Sequence, residues 1–365
     1  MENKEYAYWL AKGERIGIVK VNKLLEYFGC AERIYKATEA EIMKSGALNK
    51  KDVEILCDLR RSDSFRRELE ENEKAGIKFT YYADENYPEK LMNITDPPFS
   101  LFYYGELPEN DRLSVAVVGA RNADYECLQT AEKFATEMAE HNIRVISGLA
   151  RGIDVNAHIG ALKVKGAKTY GILGCGVDIC YPRENFRVYE EMKERGGVIS
   201  EFVPRTSPIA RNFPMRNRII SGFSDAVLIV GAGKKSGSLI TANLALDQGK
   251  DIFVIPGSIH NPHYAGSNYL IKNGANVVTE IKDILDAFGI FLDNSTVDAR
   301  NDRQKNLTEY EKKVYNILSL EPIHISEIVS GSGLRIQDVT SILINLEIKD
   351  YIRDAGNQHY VVVLN

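Results

Sequence analysis

The stretches LSVAVVGAR (113–121) and IRVISGLARG (143–152) decide the fold class of this chain. Each is a continuous apolar run that ends in small residues, and a stretch with helical character separates the two. The same rhythm continues through KTYGILGCG (168–176), GGVISEF (196–202), DAVLIVGAG (225–233), DIFVIPG (251–257) and ANVVTE (275–280). Apolar runs that alternate with amphipathic helices predict a parallel sheet buried on both faces. We therefore predict an α/β fold, a doubly wound Rossmann-like parallel sheet with a ligand crevice at the strands' C-terminal ends.

The segments on either side of this core have different patterns. Before it, the residues are helical, with a capping-box pair at Thr38 and Glu41 and a long charged helix from Asp52 to about Lys74. After it come a polar linker and a pattern of three helices and a hairpin, which is typical of a winged helix. The predicted divisions are a helical domain (1–75), a strand-rich connector (76–110), the α/β domain (111–288), a linker (289–306) and a winged-helix domain (307–365).

The composition is that of an ordinary soluble globular protein, with 44% hydrophobic and 27% charged residues. The N-terminus has no signal-peptide pattern and no apolar run is long enough to span a bilayer, so we expect no membrane association. The five cysteines include no CxxC pair, which indicates free thiols in a reducing cytoplasm. The net charge is −5, yet residues 115–285 carry 20 Lys and Arg against 17 Asp and Glu. An anionic partner is therefore expected on the middle of the chain.

Three glycine-containing loops that follow predicted strands indicate an anion-binding crevice. Their glycines allow the backbone to approach a phosphate closely, and arginines stand where a side chain can clamp the same anion. Any one of these loops alone is equally explained as a tight turn between a strand and a helix. The residues that would surround the anion are Gly119, Arg121, Gly148, Arg151, Gly152, Lys235, Ser236, Gly237 and Ser238.

The usual patterns of cofactor sites and catalytic sites are missing from the sequence. No GxGxxG follows the first strand, and GAGKKSGS (231–238) lacks the GK[ST] spacing of a triphosphate-binding loop. His260 and His263 have no nearby Cys or carboxylate to complete a metal set, and no GxSxG elbow presents a nucleophilic serine. We therefore expect a protein that binds rather than reacts, with no cofactor, no metal and no catalytic residue.

The segment ARNFPMRNRIISG (210–222) combines three arginines with one aromatic residue. Arginine forks match phosphate oxygens, and an exposed ring at Phe213 offers a face on which any base can stack. The bases of a duplex are already stacked on each other, so this combination favours single-stranded nucleic acid. Two other interpretations stay open here. Phe213 is also explained as a hydrophobic anchor of the loop, and the arginines as a solvated helix start or as partners of Asp225 or Glu201.

Taken in order, these motifs resemble the core of the DNA-processing protein A (DprA/Smf) family. The resemblance covers about residues 80–285 and rests on VVGAR, SGLARGIDVNAH, GILGCGVDICYPREN, ISEF, NFPMRNRIISGFSDAVLIV, KSGSLITANLALDQGKDIFVIPGS and GSNYLIKNGA. It implies an N-terminal helical domain of the sterile-alpha-motif or helix-hairpin-helix type and a C-terminal winged helix. It also implies a non-enzymatic homodimer that binds single-stranded DNA. Such a protein protects incoming strands in natural transformation and helps to load the RecA recombinase past single-strand-binding protein.

Carried over by position, the resemblance also implies a set of residues that contact DNA. Phe213 would stack on a base, and Arg121 would contact a backbone phosphate. The implied set is Arg121, Ser147, Gly148, Arg151, Arg183, Arg211, Phe213, Arg216, Asn217, Arg218, Lys235, Ser236 and Gly237.

The chain departs from the family pattern in three places. The acidic residue common before the SGSLITA motif is replaced by GAG (231–233), and GIVKVNKLL (17–25) lacks the usual glycine-rich hairpin. The winged-helix segment carries 5 Lys and Arg against 8 Asp and Glu, so we interpret it as a module that binds a partner or modulates the dimer.

Two other functions are consistent with parts of the sequence. The first is a nucleotide-cleaving phosphoribohydrolase of a related Rossmann-like fold, but IPGSIHNPHYAGSN (255–268) lacks the PGGxGT segment and the catalytic Glu that follows it. The second is a scaffold whose crevice holds only a small regulatory nucleotide.

Overall fold

The computed structural model describes residues 3–13, 16–290, 307–318, 323–349, 351–356 and 358–362. The chain divides into two compact units, Met1–Ala287 and Phe288–Asn365, and each is described here by itself. Most of the predicted linker, residues 291–306, lies outside the described residues.

A nine-stranded sheet forms the centre of the first unit. Its strands are β1 (Lys78–Tyr81), β2 (Ser100–Gly105), β3 (Ser114–Gly119), β4 (Arg144–Ser147), β5 (Thr169–Ile172), β6 (Gly196–Ser200), β7 (Ala226–Val230), β8 (Asp251–Val254) and β9 (Asn276–Val277). Their spatial order is β1-β2-β6-β5-β4-β3-β7-β8-β9. The seven strands from β3 to β9 are parallel, and every residue of β4, β5, β6 and β7 is buried. This sheet confirms the doubly wound α/β prediction.

The first two strands run antiparallel to their neighbours. They come from the segment 76–110, which the sequence suggested was a connector. Apolar residues at Phe79 and Phe102 let this segment extend the sheet, because both rings are buried against Tyr8 of the N-terminal helices. The antiparallel strands therefore join the helical segment and the parallel core into one hydrophobic interior.

Helices cover the sheet on its faces and at its antiparallel end. They are α1 (Asn3–Ala11), α2 (Gly17–Phe28), α3 (Ala31–Lys36), α4 (Glu39–Lys44), α5 (Lys50–Ser62), α6 (Ser64–Lys74), α7 (Glu89–Met92), α8 (Tyr125–Glu140), α9 (Ile153–Lys163), α10 (Phe186–Glu194), α11 (Asn212–Phe223), α12 (Ser238–Asp247), α13 (Ala265–Lys272) and α14 (Ile281–Ala287). The capping box at Thr38 and Glu41 is present at the start of α4.

The single long helix predicted from Asp52 to Lys74 is wrong, because the chain breaks there into α5 and α6. Asp63, between them, has a φ of 48°, in the left-handed region that Asp tolerates better than most residues. Its carboxylate also pairs with Arg66 at 3.0 Å, so the side chain stabilises the start of the second helix.

The parallel strands reverse their spatial order at β3, which has β4 on one side and β7 on the other. Ligands of open α/β sheets bind in the crevice that such a reversal leaves at the strands' C-terminal ends. Glycine is required where β3 ends, since a Cβ on Gly119 would lie 1.9 Å from the carbonyl oxygen of Val230. The backbone at this point is therefore packed tightly against β7.

In its described residues, the second unit has three helices and a small sheet. Its elements are α15 (Glu309–Tyr315), β10 (Ile323–His324), α16 (Ile325–Ser332), α17 (Ile336–Ile348), β11 (Ile352–Gly356) and β12 (His359–Val362). The strands pair antiparallel in the order β10-β12-β11, and Val314, Ile328 and Leu343 are fully buried between the helices. This is the arrangement of a winged helix.

Candidate nucleic-acid interface

A cleft of about 760 Å³ opens at the strand reversal between β3 and β7. Its walls are the turn Gly119–Arg121 after β3, the loop 233–238 after β7, and the first turns of α11. A smaller cleft of about 60 Å³ shares Arg121, Tyr181 and Phe213 with the larger one. The three glycine loops predicted from the sequence border these two clefts.

Phe213 stands in both clefts as a half-buried ring. One part of the ring packs on Gly174, where a Cβ would come within 2.9 Å of it. The ring centroid lies 5.6 Å from that of Tyr181 and 5.5 Å from the guanidinium carbon of Arg121. Phe213 is therefore anchored to the core and also presented in the cleft, beside a cation and a second aromatic ring.

Arg216 lies at the floor of the cleft, with only 3% of its surface exposed. It donates from Nη1 to the carbonyl of Gly148 at 2.9 Å and from Nε to Oδ1 of Asn217 at 3.3 Å. Burial lowers the pKa of Arg216 to about 10, so its guanidinium is still positive at neutral pH. The solvated helix start is thus wrong for this residue, which is a buried cation.

Asp154 carries the negative charge that most favours the positive form of this cation. Burial raises the pKa of its carboxyl, while the charge of Arg216 and the backbone N–H groups of Ala150 and Gly148 act in the opposite direction. A Cβ on Gly148 would lie 2.5 Å from Nη2 of Arg216 and 2.6 Å from Oδ2 of Asp154. The carboxylate and the guanidinium therefore close around Gly148 and fix the loop that follows β4.

Arg218, which the resemblance implies as a DNA contact, does not line either cleft. Its Nη1 and Nη2 donate to the two carboxylate oxygens of Glu201 at 2.7 and 2.6 Å, and its Nε donates to the carbonyl of Asp96 at 2.8 Å. Arg218 is buried and Glu201 is nearly so, with 8% and 11% of their side chains exposed. Of the interpretations left open by the sequence, pairing with Glu201 is the one observed.

Ser147 is likewise turned away from the clefts. Its side chain is fully buried, and Oγ donates to the carbonyl of Val117 at 2.6 Å. The residue joins β4 to β3, because a serine hydroxyl at a strand end finds its partner in the neighbouring backbone. Ser147 therefore has a structural role and does not line the pocket, as the resemblance implies it would.

The other implied residues are exposed or border the clefts. Lys235, Ser236 and Gly237 line the larger cleft at the start of α12, together with Asn217. Arg183 and Arg211 are exposed outside the two clefts, and within the described ranges no ion pair involves either of them. Arg151 lines the smaller cleft and pairs with Glu184.

Three residues of the site escaped the sequence analysis as possible DNA contacts. Tyr181, Asn122 and His263 all line the larger cleft. Asn122 directly follows the GAR turn and Tyr181 directly precedes Pro182 in the YPREN motif, so position within the motifs was the available signal. For His263 the sequence offers no comparable signal, because HNPH (260–263) resembles a metal-binding pattern more than a DNA contact.

Neither a metal centre nor a membrane segment is found in the parts of the chain that the structure covers. No three His, Cys, Asp or Glu side chains come together there in a way that could hold a metal ion. None of the helices described combines the length with the apolar character that a bilayer crossing needs. All five cysteines are free thiols.

Comparison with known proteins gives matches along most of the chain. The model of a family described as DNA recombination-mediator protein A matches residues 78–289, and a DprA winged helix domain matches residues 299–357. The chain is 30% identical to Protein Smf of Synechocystis, over 99% of both proteins.

Two solved structures are similar to the chain at the level of both sequence and fold. One is DNA processing protein A of Streptococcus pneumoniae, with a TM-score of 0.68 and 31% identity over 78% of this chain and 98% of the other. The second is DNA processing protein A of Helicobacter pylori, described for its single-stranded DNA binding mode. It has a TM-score of 0.52 and 30% identity, over 58% of this chain and 95% of the other.

Proposed function

Because this chain belongs to the DNA recombination-mediator protein A family, we propose that it is a sequence-independent single-stranded DNA-binding protein. In this proposal it acts in the cytoplasm as a recombination mediator, which protects incoming single strands and helps to load RecA during natural transformation. The binding site is the pair of clefts at the strand reversal. No catalytic step is part of the proposal.

The observation that carries the proposal is the juxtaposition of Arg121, Phe213 and Tyr181 in one cleft. A flat ring beside a guanidinium fits a nucleotide, because the ring can stack on the base while the cation neutralises the phosphate. Stacking requires no particular base, which is what a protein that protects any strand needs. The related protein from Helicobacter pylori, whose single-stranded DNA binding is described, supports the same assignment.

The cations around the clefts supply the second part of the argument. Arg121, Lys235 and Arg151 line the clefts, and all three are exposed at their rim. Arg183 and Arg211 lie further out, where a strand leaving the cleft would pass them in our proposal. Affinity that rests on such contacts falls steeply with salt, by about 0.7 in the logarithmic slope for each phosphate contact of a single strand.

Binding of a labelled oligonucleotide, followed by fluorescence anisotropy across a salt series, tests the proposal. We expect the wild type to bind the single strand more tightly than its duplex. Phe213→Ala should weaken binding by about 1–3 kcal/mol, the value of one stacked base, with an unchanged salt slope. Arg121→Ala should instead lower the slope by about 0.7–1.

The matched control is Tyr27→Ala, which removes an exposed ring from α2. Its affinity should equal that of the wild type. Equal or absent binding to single strand and duplex would contradict the proposal. Release of free base from nucleoside monophosphates would then support the alternative, a phosphoribohydrolase.

RecA, single-strand-binding protein and a second copy of the chain are the proposed partners. Support for the second copy comes from exposed apolar side chains at Leu246, Tyr269 and Val277, of which 56%, 62% and 46% are accessible. Light scattering of the purified chain measures the assembly directly. A monomer at all concentrations would remove the dimer from the proposal and leave the DNA-binding site untouched.

A further inference from the structure

One cation of the smaller cleft, Arg151, is already paired with an acidic side chain, Glu184. Arg151 donates from Nε to Oε1 of Glu184 at 2.6 Å and from Nη2 to Oε2 at 3.0 Å. Both side chains are largely in solvent, with 60% and 54% exposed. Arg151 shares this cleft with Phe213 and Arg121, the residues to which the proposed function gives the nucleotide.

The contact is made through the edge of the guanidinium that a phosphate would also use. Two parallel N–H groups, on Nε and Nη2, match the two oxygens of a carboxylate or of a phosphate equally well. While Glu184 holds this edge, a phosphate can reach Arg151 in the same fork geometry only by displacing the carboxylate. The ion pair and the phosphate are thus competitors for one site.

The position of Glu184 is fixed by its neighbour in the chain. Asn185 is buried, and its side-chain amide donates to the carbonyl of Leu149 at 2.9 Å. Leu149 belongs to the loop that carries Arg151, so the turn Arg183–Asn185 is fastened to that loop. This link keeps the backbone of Glu184 close to the loop of Arg151, so the carboxylate starts within reach of the guanidinium.

The Arg218–Glu201 pair is a second Arg–Glu pair of this unit, and it differs from the Arg151–Glu184 pair in its burial. Arg218 and Glu201 are largely shielded from water, and separating them would leave the buried guanidinium with only the partly exposed carboxylate of Asp96 as counter-charge. The Arg151–Glu184 pair is open to water, where an ion pair contributes only about 0–1 kcal/mol. It can therefore be exchanged for another anion at little cost.

We propose that Glu184 is a built-in competitor for phosphate at Arg151, and that it selects long polyanionic strands over single nucleotides. This inference rests on the proposed function. A strand contacts several other cations at once, so it binds while the carboxylate still holds Arg151. A mononucleotide offers one phosphate and must compete with Glu184 at equal charge, so it is held weakly.

Removing the negative charge with Glu184→Gln tests this selection. We expect the variant to bind a labelled thymidine oligonucleotide about two- to fivefold more tightly, as the loss of an exposed ion pair allows. Its logarithmic salt slope should become steeper by about 0.7–1, since Arg151 then adds a full phosphate contact. Thymidine monophosphate, used as the competitor, should gain a larger factor than the oligonucleotide.

Three further variants isolate the cause. Glu194→Gln removes the same charge from the last residue of α10, where within the described ranges no ion pair involves it, and should leave affinity near the wild-type value. Arg151→Ala should bind the oligonucleotide about as tightly as the wild type does, because Glu184 already occupies that guanidinium. Adding Glu184→Gln to Arg151→Ala should then change nothing more, because the competitor acts only through the guanidinium.

The outcomes separate this inference from the function on which it rests. If the wild type binds no single strand, the proposed function fails. If the wild type binds, but Glu184→Gln behaves as Glu194→Gln does, only the inference is overturned. A gain from Glu184→Gln that persists in the Arg151→Ala background also overturns it, since the effect would then be a general one of charge. Thermal unfolding of each variant confirms that the fold is kept.

Discussion

At the scale of single residues, the arginines of the site have different roles, which the residue type alone does not reveal. Arg121 is exposed over an aromatic ring, Arg216 is a buried cation bonded to Gly148, and Arg218 is committed to Glu201. The sequence predicted the cluster, because arginine and phenylalanine in one loop favour a nucleotide. It could not predict which of them is buried, since that depends on which side of α11 faces the sheet.

His158 illustrates a residue whose burial has a consequence for pH dependence. The ring is fully buried, and Nδ1 lies 2.7 Å from Oγ1 of Thr169, which itself donates to the carbonyl of Val145. Thr169 must therefore accept from Nδ1, and Nε2, which lacks a hydrogen, has no partner among the residues that the structure describes. Burial lowers the pKa of His158 to about 3, from an ordinary value of 6.5.

The direction of the pH effect follows from these two values. Below pH 6.5 the unfolded chain binds a proton at this residue and the folded chain does not, so folding stability falls as the pH falls toward 3. When the pH is lowered from about 7.5 to about 5.5, the free energy of unfolding should fall by about 1.4 kcal/mol less in His158→Gln than in the wild type. Urea unfolding at the two pH values measures this difference, and equal losses in both proteins would contradict it.

At the scale of secondary-structure elements, the sequence predicted the parallel strands well and the irregular parts less well. Continuous apolar runs identify buried strands because both faces of the sheet need them. The break at Asp63 and the pairing of β1 with β2 depend on tertiary contacts that no local pattern contains. The position of Ser147 was missed for the same reason, since the partner of its hydroxyl lies on the neighbouring strand.

The Arg218–Glu201 pair connects α11 to the end of β6, and its loss should loosen that junction. Glu201→Ala leaves the buried guanidinium bonded to the carbonyls of Asp96 and Met215, with the Asp96 carboxylate 3.4 Å from Nε as its remaining counter-charge. Breaking a buried pair in this way costs about 3–5 kcal/mol in the free energy of unfolding, and the two retained bonds favour the lower end.

Chemical denaturation measures this cost against an exposed pair. The control is Glu190→Ala, which removes the contact between Glu190 and Lys193 on the surface of α10. An exposed pair contributes about 0–1 kcal/mol. If the two variants unfold at the same denaturant concentration, the assignment of Arg218 to a structural role is wrong, and a phosphate contact would again have to be considered for it.

At the scale of the whole molecule, the charges that would attract DNA belong to one unit. All the cations of the two clefts lie in the first unit, whereas residues 307–365 carry 5 Lys and Arg against 8 Asp and Glu. On the exposed surface of α17, Ile344 and Ile348 are 52% and 75% accessible, so this helix offers apolar side chains where a duplex binder would carry cations.

A chain that ends at Ala287 should therefore keep its affinity for single-stranded DNA. We expect a dissociation constant within about twofold of the full-length value and an unchanged salt slope, because no phosphate contact is removed. Anisotropy on the two proteins side by side tests this. A loss of about tenfold or more would show that the second unit contributes to the site, contrary to our interpretation of it as a partner-binding module.

The parallel pairing of β3 with β7 joins segments that are made far apart in time. The ribosome completes strands β3 to β6 before it makes β7, which pairs with β3. One edge of β3 therefore stays unpaired for on the order of ten seconds at usual synthesis rates. During that interval the nascent chain exposes a buried-type strand to other chains. Aggregation during synthesis, more than instability of the finished fold, is thus the hazard that this topology imposes on the cell that makes it.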